Sequence, residues 1–534
     1  MASSATAERR RQVFLIFLTG AAVLALEVLA SRIMTPYFGV SLYIWASILS
    51  ITLTFLAFGY YLGGHLTRRL AGPWLTTMFL LLPLGSAAAI LLATAIFPSL
   101  FPALARFDLV FGSFVASTLL LAPPLICLSA MNPLLIALRA EGGRLGDGGA
   151  GQVFFTSTIG SVAGVVITAF VIIPNLTNFV AMLWLGVALC IAAAGVTLAS
   201  AAPPPLHRRR LLAGAVLVAV CCLALLAFQE RYLALATRTA DRDARLALLG
   251  EYTSVFGNVK VVELSSASNR YPPIKVLLQD GTIQNRATPA NSSLSMYTYV
   301  LDLLARGFAP ESRSALVLGL GAGIVPRDMK RRGVEVTIVD INPGMVRAAV
   351  EHFDFVPEDF ALRLADARTF VKDCPQRFDV IIVDLFQGDG TPDYLATKEF
   401  FGDLRRCLSP RGAVVMNAFF DPENREPNLR LLATVFESFK QLYYFHRPEL
   451  NTFVVGLAAR PPADVRFGLE DVPPALRGLV QRSLESGVTI RDVDLRGFPA
   501  FTDQQNLFSI LAVEAQMGRR REIIEALPPR VLVN

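Results

Sequence analysis

Long apolar stretches follow one another along the first 230 residues of the chain. Each is about 20 residues long or longer, which is the length that an α-helix needs to cross a bilayer. The first stretch continues without a small-residue cleavage site, so a removable signal peptide is not expected. The pattern predicts a multi-pass α-helical membrane domain over residues 1–230, with about seven helices at roughly 12–35, 41–63, 73–97, 109–138, 151–173, 176–199 and 211–229.

The hydrophobic pattern changes after this apolar half. A charged segment comes first, and short alternating strands with an Asp280-Gly281 turn follow it. Apolar strands and amphipathic helices then alternate, and runs such as Asp379–Asp384 are typical of parallel strands that are buried on both faces. This order predicts an α/β Rossmann-like domain with a small N-terminal β-hairpin segment. The predicted boundaries are 231–250 for a helical linker, 251–310 for the β-rich part, 311–460 for the Rossmann-like part and 461–534 for a helical tail.

Composition agrees with a membrane protein that carries a second, more polar part. Hydrophobic residues form 53% of the chain and charged residues only 17%, against about 25% charged residues in a typical soluble protein. These values exclude a disordered chain, a coiled coil and an ordinary soluble enzyme. Met1–Arg210 contains twelve arginines, no lysine and five acids, which gives +7, and the remainder carries −1. The basic excess therefore belongs to the apolar half, and no nucleic-acid partner is expected.

A glycine-rich turn is the first candidate for chemistry. The strand Ala315–Gly319 leads into Gly319, Gly321 and Gly323, and a helix-like stretch follows. An acid, Asp340, closes the next strand 21 residues after Gly319, which matches the spacing of about 20 residues at which an acid binds ribose hydroxyls. Because glycines lack Cβ atoms, a ligand can approach such a loop closely. The motif predicts nucleotide binding, with a purely structural turn as the alternative.

Acids after the next strands indicate which nucleotide is bound. Asp366-Ala367 would meet an adenine amino group, and Asp384 would lie in the crevice at the carboxyl ends of the strands. The alternative for Asp366 is a helix N-cap. An acid after each of strands two, three and four suits an S-adenosylmethionine-type nucleoside better than NAD, and no Gly-Lys-Ser/Thr loop for a triphosphate is present. The predicted fold is therefore Rossmann-like of the S-adenosylmethionine-methyltransferase type.

Arginine positions predict the orientation in the membrane. Arginines occupy the N-terminus and alternate connections, whereas the connections near 36–41 and 174–178 contain no lysine or arginine. The positive-inside rule then places the N-terminus in the cytoplasm, with the chain in the cell (inner) membrane. Seven crossings would put the second half outside the cytoplasm, which conflicts with the use of a nucleotide usually found inside. The side of that half is left open.

Cysteine spacing gives no sign of a metal site. The six cysteines have no paired metal-ligand spacing, and four of them lie in apolar stretches, where cysteine usually packs as a small hydrophobic residue. Neither a metal ion nor a disulfide framework is expected.

The soluble half resembles the spermidine synthase family (polyamine aminopropyltransferases), in particular its bacterial members fused to a helical membrane part. The resemblance implies transfer of an aminopropyl group from decarboxylated S-adenosylmethionine to an amine. For the nucleoside, it implies that the three glycines line it, that Asp340 binds its ribose and that Asp366 and Ala367 bind its adenine. For the reaction, it implies that Gln284 lies near the thioether and that Asp384 orients or deprotonates the amine. The matching segments are Ser254–Val261, Asp280–Gln284, Leu316–Gly323, Ile338–Asp340, Asp366-Ala367, Phe378–Asp384, Leu395–Phe400 and Phe501–Asp503.

Acids of that family are missing here at three places. Ala322 stands where the family's glycine loop has an aspartate, residues 285–295 contain no acid where the family has an Asp-Glu pair, and Gln387 replaces a second acid after Asp384. A diamine needs carboxylates for its charged ends. Asp389 and Asp393 in the following loop are candidate substitutes, and together with Tyr297 they are the candidate substrate-binding residues.

Three functions stay open. The first is a membrane-integrated aminopropyltransferase that acts on a polyamine such as putrescine and releases methylthioadenosine. The second is another S-adenosylmethionine-dependent enzyme, a methyltransferase or a sulfonium-cleaving enzyme, with a different or membrane-borne acceptor. The third is a non-catalytic transporter or nucleoside sensor, which Glu27 in the first helix suggests. The expected partners are a small-molecule amine and the lipid bilayer, and a homodimer is left open.

Overall fold

The computed structural model describes residues 2–140, 149–200, 203–237, 244–266, 268, 270–386, 390–418, 424–446 and 451–534. The chain divides into two compact units. The first unit comprises Met1–Thr239 together with Ile524–Asn534, and the second comprises Ala240–Ile523.

The first unit is a bundle of long apolar helices. Among the described residues, seven helical spans are long and apolar enough to cross a membrane, as the sequence predicts. The fifth span continues from α5 through a π-helical turn at Thr168–Ile172 into α6. The helices are α1 (Ala2–Phe38), α2 (Leu42–Arg69), α3 (Pro73–Leu104), α4 (Leu109–Ala140), α5 (Ala150–Ile167), α6 (Ile173–Asn175), α7 (Asn178–Ala199), α8 (Pro205–Ala227) and α9 (Gln229–Ala236).

Glycines four residues apart let the helices of the bundle approach closely. On α5, a Cβ atom at Gly160 would lie 2.1 Å from the carbonyl oxygen of Phe17 on α1, and one at Gly164 would lie 2.2 Å from that of Ala21. On α2, a Cβ atom at Gly63 would lie 2.5 Å from the carbonyl oxygen of Ala130 on α4. Small residues at this spacing bring backbones together in membrane helix pairs, where van der Waals packing drives association. The close packing of α5 on α1 and of α2 on α4 therefore depends on glycine.

The second unit begins with an antiparallel sheet of four strands. Its strands follow one another in the order β1-β2-β3-β4, and the turn Asp280-Gly281 joins β3 to β4 as predicted. The expected helical linker over 231–250 is wrong in its second half, because β1 occupies that stretch and pairs with β2 from Ala244 to Ser254. Pairing with a partner strand outweighs the local charge pattern there. The strands are β1 (Ala244–Ser254), β2 (Gly257–Ser266), β3 (Ile274–Gln279) and β4 (Thr282–Ala287), and α10 (Met296–Phe308) follows.

A sheet of eight strands forms the centre of the second unit. Its strand order is β12-β10-β11-β9-β8-β5-β6-β7, with β9, β8, β5, β6 and β7 parallel and the other three antiparallel. The parallel strands form the predicted Rossmann-like fold, and the antiparallel strands β11, β10 and β12 extend its sheet. The elements are β5 (Ser314–Leu318), α11 (Ile324–Arg331), β6 (Glu335–Asp340), α12 (Pro343–His352), β7 (Ala361–Leu364), α13 (Ala367–Lys372), β8 (Phe378–Val383), α14 (Lys398–Cys407), β9 (Leu408–Ala418), α15 (Arg425–Ser438), β10 (Gln441–Phe445), β11 (Thr452–Leu457), α16 (Pro474–Glu485), β12 (Gly487–Ile490), α17 (Phe508–Leu511) and α18 (Val513–Ala526).

Apolar cores cover both faces of the central sheet. Ala315 and Val317 of β5 belong to one buried cluster, whereas Leu316 and Leu318 belong to another. Successive side chains of a strand point to opposite faces, so unbroken apolar runs are what a sheet covered on both sides requires. Such packing holds the carboxyl ends of β5, β6 and β8 in fixed positions.

Two features of the second unit differ from the sequence-based prediction. The tail at 461–534 is not only helical, because β12 pairs with β10 and extends the central sheet. Cys374 and Cys407 form a disulfide, with their Cα atoms 5.7 Å apart. Cys374 follows α13 and Cys407 ends α14, and the packing of these two helices brings together cysteines that are 33 residues apart in sequence. The absence of a recognisable spacing therefore did not exclude a disulfide.

Candidate active site

A small pocket lies at the carboxyl ends of β5 and β8. Apolar residues of the strands and of the start of α11 form much of its lining. Four polar side chains also line it, namely Asn285, Tyr297, Thr298 and Asp384. A concave site with converging polar groups at the strand ends is where an open α/β sheet binds ligands.

The glycine loop forms one wall of this cavity. Gly319, Gly321 and Gly323 have φ angles of +93°, +54° and +71°, a region that glycine enters at little cost. A Cβ atom at Gly319 would lie 2.2 Å from the backbone oxygen of Asp384, and one at Gly323 would lie 2.7 Å from the ring of Phe355. At Gly321 a Cβ atom would meet nothing within 4 Å. The first and third glycines thus fit against protein, and the second faces open space.

Asp340 fixes the shape of the glycine loop. One carboxylate oxygen accepts the backbone N–H of Leu320 at 2.8 Å, and the other accepts that of Asn342 at 2.7 Å. Burial raises the pKa of Asp340, and the two N–H donors act against this rise. The sequence predicts a ribose ligand at this position, and the structure places the carboxylate directly beneath the loop.

Asp384 lies beneath the cavity at the end of β8. Its Oδ1 accepts a hydrogen bond from Nδ2 of Asn417 at 2.8 Å, and Oδ1 of Asn417 accepts one from Nδ2 of Asn451 at 3.1 Å. Burial raises the pKa of Asp384 to about 6, and the bond from Asn417 acts in the opposite direction. The carboxyl is thus poised to exchange a proton near neutral pH.

Asn417 and Asn451 are residues that the sequence analysis missed. Asn417 is a polar residue near the end of the apolar strand β9, the same kind of signal that marked Asp384. Asn451 lies just before β11, and only the antiparallel pairing of β11 with β9 brings it beside Asn417. Pairing of that kind has no local sequence signal.

Asn285, rather than Gln284, lines the cavity. The register of β3 and β4 shifts so that Leu277 pairs with Asn285 and Leu278 with Ile283, which leaves Gln284 as the extra residue of a β-bulge. Bulges change the direction of side chains and are common beside active sites. The backbone carbonyl of Gln284 accepts the hydroxyl of Tyr297 at 3.0 Å. Of the predicted residues, Gly319, Tyr297 and Asp384 line the same cavity.

Asp366 and Ala367 begin α13. Oδ1 of Asp366 accepts the backbone N–H of Thr369 at 2.8 Å, which is the N-cap alternative considered from the sequence. Its Oδ2 accepts the hydroxyl of Tyr394 at 2.8 Å. Neither residue lines the cavity. Any contact of Asp366 with an adenine would therefore use the lone pairs that remain on these oxygens.

One of the two candidate loop acids, Asp393, is hydrogen-bonded to another part of the second unit. The carboxylate of Asp393 accepts the backbone N–H of Ser509 at 2.8 Å and its hydroxyl at 2.7 Å. Asp393 does not line the cavity, so its predicted role in substrate binding is not supported, because this carboxylate anchors the start of α17. Asp389 lies outside the described residues. Within the described part of the chain, no group of three His, Cys, Asp or Glu residues is arranged as metal ligands would be.

Comparisons with known proteins fit this site. Residues 295–458 match the family model of the spermine/spermidine synthase domain. An N-terminal histidine N-methyltransferase of Emericella nidulans is 35% identical over 114 residues, which cover 20% of this chain and 20% of that protein. Polyamine aminopropyltransferase of Vibrio vulnificus is 30% identical over 27% of this chain and 48% of its own length. Polyamine aminopropyltransferase 1 of Pseudomonas aeruginosa is 28% identical over 42% of this chain and 80% of its own length.

Solved structures with similar chains include a probable spermidine synthase from Corynebacterium glutamicum, with a TM-score of 0.39, 20% identity, and coverage of 48% of this chain and 96% of that one. The chain spans 20% of the length of the Emericella nidulans protein and 48% of the length of the Vibrio vulnificus protein. The resemblance to the spermidine synthase family is confirmed for residues 295–458. The chain therefore contains a spermine/spermidine synthase domain at residues 295–458.

Proposed function

We propose that this chain is a membrane-integrated transferase that moves an aminopropyl group from decarboxylated S-adenosylmethionine to an amine such as putrescine and releases methylthioadenosine. The observation that carries the proposal is Asp384, a carboxyl with a raised pKa that lines a cavity walled by a glycine loop. Two of the relatives described above are polyamine aminopropyltransferases by name.

The reaction is a displacement at the carbon beside a sulfonium. The lone pair of the amine nitrogen forms the new C–N bond while the C–S bond breaks, and the electron pair of that bond passes to sulfur. Sulfur then leaves as a neutral thioether, and Asp384 accepts the proton that the nitrogen loses. Alignment of the nitrogen with the C–S bond supplies much of the rate. A carboxylate in this position also stabilises the positive charge of the sulfonium.

The nucleoside would lie along the glycine loop. The open space at Gly321 leaves room for it, since a side chain there would meet no atom within 4 Å. Asp340 would bind the ribose with the lone pairs that its backbone hydrogen bonds leave free, and Asp366 with Ala367 would lie toward the adenine. Gly319 and Gly323 would shape the loop.

A second candidate is methyl transfer from S-adenosylmethionine to a nitrogen. Asp384 is the only acid among the described residues that line the cavity, whereas a diamine has two charged ends. One relative is an N-methyltransferase by name. The same carboxylate would serve this reaction, because it too is a displacement by nitrogen at a carbon beside a sulfonium.

The nucleoside product separates the two candidates. The full chain in detergent is incubated with decarboxylated S-adenosylmethionine or with S-adenosylmethionine, each with putrescine, and the products are identified by mass spectrometry. Methylthioadenosine together with a lengthened polyamine is the expected result. S-adenosylhomocysteine with a methylated amine would replace the first candidate by the second, and the absence of any nucleoside product would contradict both.

We also infer that the synthase domain lies outside the cytoplasm. One end of the bundle gathers arginines, since Arg9 and Arg139 both donate to Oε1 of Gln152, at 2.8 and 3.3 Å. The C-terminal residue is held at the other end, where its carbonyl accepts the N–H of Phe179 at 2.9 Å and its amide donates to the carbonyl of Arg32 at 3.4 Å. Positive ends of membrane helices face the cytoplasm.

The disulfide Cys374–Cys407 supports the same side. Disulfides persist in oxidising compartments and are rare in the cytosol. A domain outside the cytoplasm would require both its sulfonium donor and its amine to be present outside the cytoplasm.

We expect alkaline phosphatase fused after Asn534 to be active in cells, because this enzyme matures only outside the cytoplasm. The matched control is the same reporter fused after Ser200, which follows six of the seven spans and should be inactive. Cys374 and Cys407 should resist alkylation until a reductant is added. An inactive reporter after Asn534, with both thiols alkylated at once, would place the domain in the cytoplasm.

A further inference from the structure

Asn285 is a buried polar side chain that the predicted site did not include. It lines the cavity together with Asp384, and only 1% of its surface is exposed. Its Nδ2 donates a hydrogen bond to the hydroxyl oxygen of Tyr297 at 3.2 Å. Its Oδ1 has no hydrogen-bond partner among the described residues. A buried acceptor without a donor is uncommon in proteins and calls for a specific explanation.

The neighbouring hydrogen bonds fix the orientation of this amide. The hydroxyl of Tyr297 donates to the backbone carbonyl of Gln284 at 3.0 Å, so its oxygen is left to accept from Asn285. Burial and the nearby Asp384 raise the pKa of Tyr297, which keeps the hydroxyl protonated and able to donate. Rotating the amide by 180° would place Oδ1 against an oxygen whose proton is already donated. Oδ1 is therefore the atom left for a ligand.

The chemistry of the cavity indicates what that ligand donates. An amide oxygen accepts an N–H or O–H, and a protonated amine offers several N–H groups in different directions. We propose that Oδ1 of Asn285 accepts an N–H of the acceptor amine while Asp384 binds and deprotonates the same nitrogen; this rests on the proposed function. Two acceptors on one nitrogen orient its lone pair, and such orientation is what a displacement reaction needs.

A substrate class follows from the two acceptors. Together they satisfy one cationic nitrogen, and no other acid among the described residues lines the cavity. The rest of the lining includes Ala322, Val325 and Pro326, which suit an apolar group. The two acceptors therefore satisfy the reacting nitrogen, and the second cation of a diamine such as putrescine would need a partner beyond the described lining.

The test uses the full chain in detergent with butylamine and putrescine as matched probes. Asn285→Leu replaces both polar atoms by apolar atoms of similar shape. It also removes the hydrogen bond to the hydroxyl oxygen of Tyr297, which lowers the stability of the fold, and thermal unfolding checks that the variant is folded under the assay conditions. We expect it to raise KM for butylamine about 10- to 100-fold, the loss typical of a hydrogen bond to a charged group. The affinity for methylthioadenosine, measured by calorimetry, should change less than about twofold.

Two further variants complete the design. Asn285→Asp adds the missing carboxylate and should shift the preference from butylamine toward putrescine. Arg286→Ala, on the neighbouring exposed side chain, is the control and should leave both KM values unchanged. A KM for butylamine within twofold of the wild type in Asn285→Leu would overturn the inference.

Calorimetry of amine binding separates this inference from the proposed function. Binding of butylamine by the wild type that is lost in Asn285→Leu supports the amine site even where no product forms, and the transferase proposal alone then fails. Equal binding by the two proteins, or no binding by either, overturns the amine site whatever the product assay shows.

Discussion

Replacing Asp384 by asparagine should lower kcat for transfer about 100- to 10,000-fold, the usual contribution of a positioned general base. The variant keeps the shape of the side chain and can still accept the hydrogen bond from Asn417. It removes the ability to take a proton from the amine, together with the negative charge that would stabilise the sulfonium. Rates of nucleoside release, measured with saturating amine and donor, check this expectation.

Nucleoside binding should survive the same change, because the glycine loop contacts the backbone of Asp384 rather than its carboxylate. Methylthioadenosine titrated into both proteins provides this control. Asp464→Asn is the matched acid variant, since its side chain is 60% exposed and pairs with Arg466 at the surface. Turnover by Asp384→Asn close to that of the wild type would show that another group takes the proton.

The pH dependence gives the same prediction an independent readout. With a pKa of about 6, Asp384 is ionised and able to act as a base above that pH. The value of kcat/KM for the wild type should therefore fall as the pH drops through about 6. Asp384→Asn should lack this inflection.

Stability should move in the opposite direction from activity. The carboxyl of Asp384 has an ordinary pKa of 3.8 and a raised pKa in the folded protein. The folded state binds this proton more tightly than the unfolded state, so ionisation destabilises the fold as the pH rises from about 4 to about 6. At about pH 7.5 the melting temperature of Asp384→Asn should equal or exceed that of the wild type, and the difference should shrink toward pH 4.

Features of the site that depend on local order were predictable. A strand, a glycine turn and a helix form one continuous segment, so the loop at Gly319–Gly323 could be located from its spacing. Asp384 was predictable for the same reason, because it ends an unbroken apolar strand. Asp366 shows the limit of such reasoning, since an acid before a helix is equally suited to cap it, and here its Oδ1 does so.

Features that depend on distant parts of the chain were not predictable. The cavity received Asn285 instead of Gln284 because a bulge shifts the pairing of β3 and β4, and a shift of one residue changes which side chain faces a site. Asp393 is bound by Ser509, 116 residues further along the chain. In the same way β12 joins the sheet through β10. Each of these outcomes is set by tertiary contacts.

Gly319→Ala should destabilise the synthase domain by roughly 2–5 kcal/mol, the sum of two effects. The φ angle of +93° is costly for any residue with a Cβ atom, by about 1–2 kcal/mol. The added Cβ would also lie 2.2 Å from the backbone oxygen of Asp384, so either β5 or β8 must move. Because that movement displaces Asp384 from the loop, binding of methylthioadenosine should be lost as well.

Gly333→Ala separates strain from steric clash. Gly333 has a similar φ of +83°, but a Cβ atom there would meet nothing within 4 Å. The melting temperature of Gly333→Ala should therefore fall only by the amount that corresponds to the free-energy cost of the backbone conformation. The nucleoside affinity of this variant should equal that of the wild type. Thermal unfolding of both variants in the same detergent makes the comparison. Equal losses of stability in the two variants would mean that the close contact between Gly319 and Asp384 is relieved at no cost. The glycine loop and strand β8 would then not be held together as tightly as the mechanism requires.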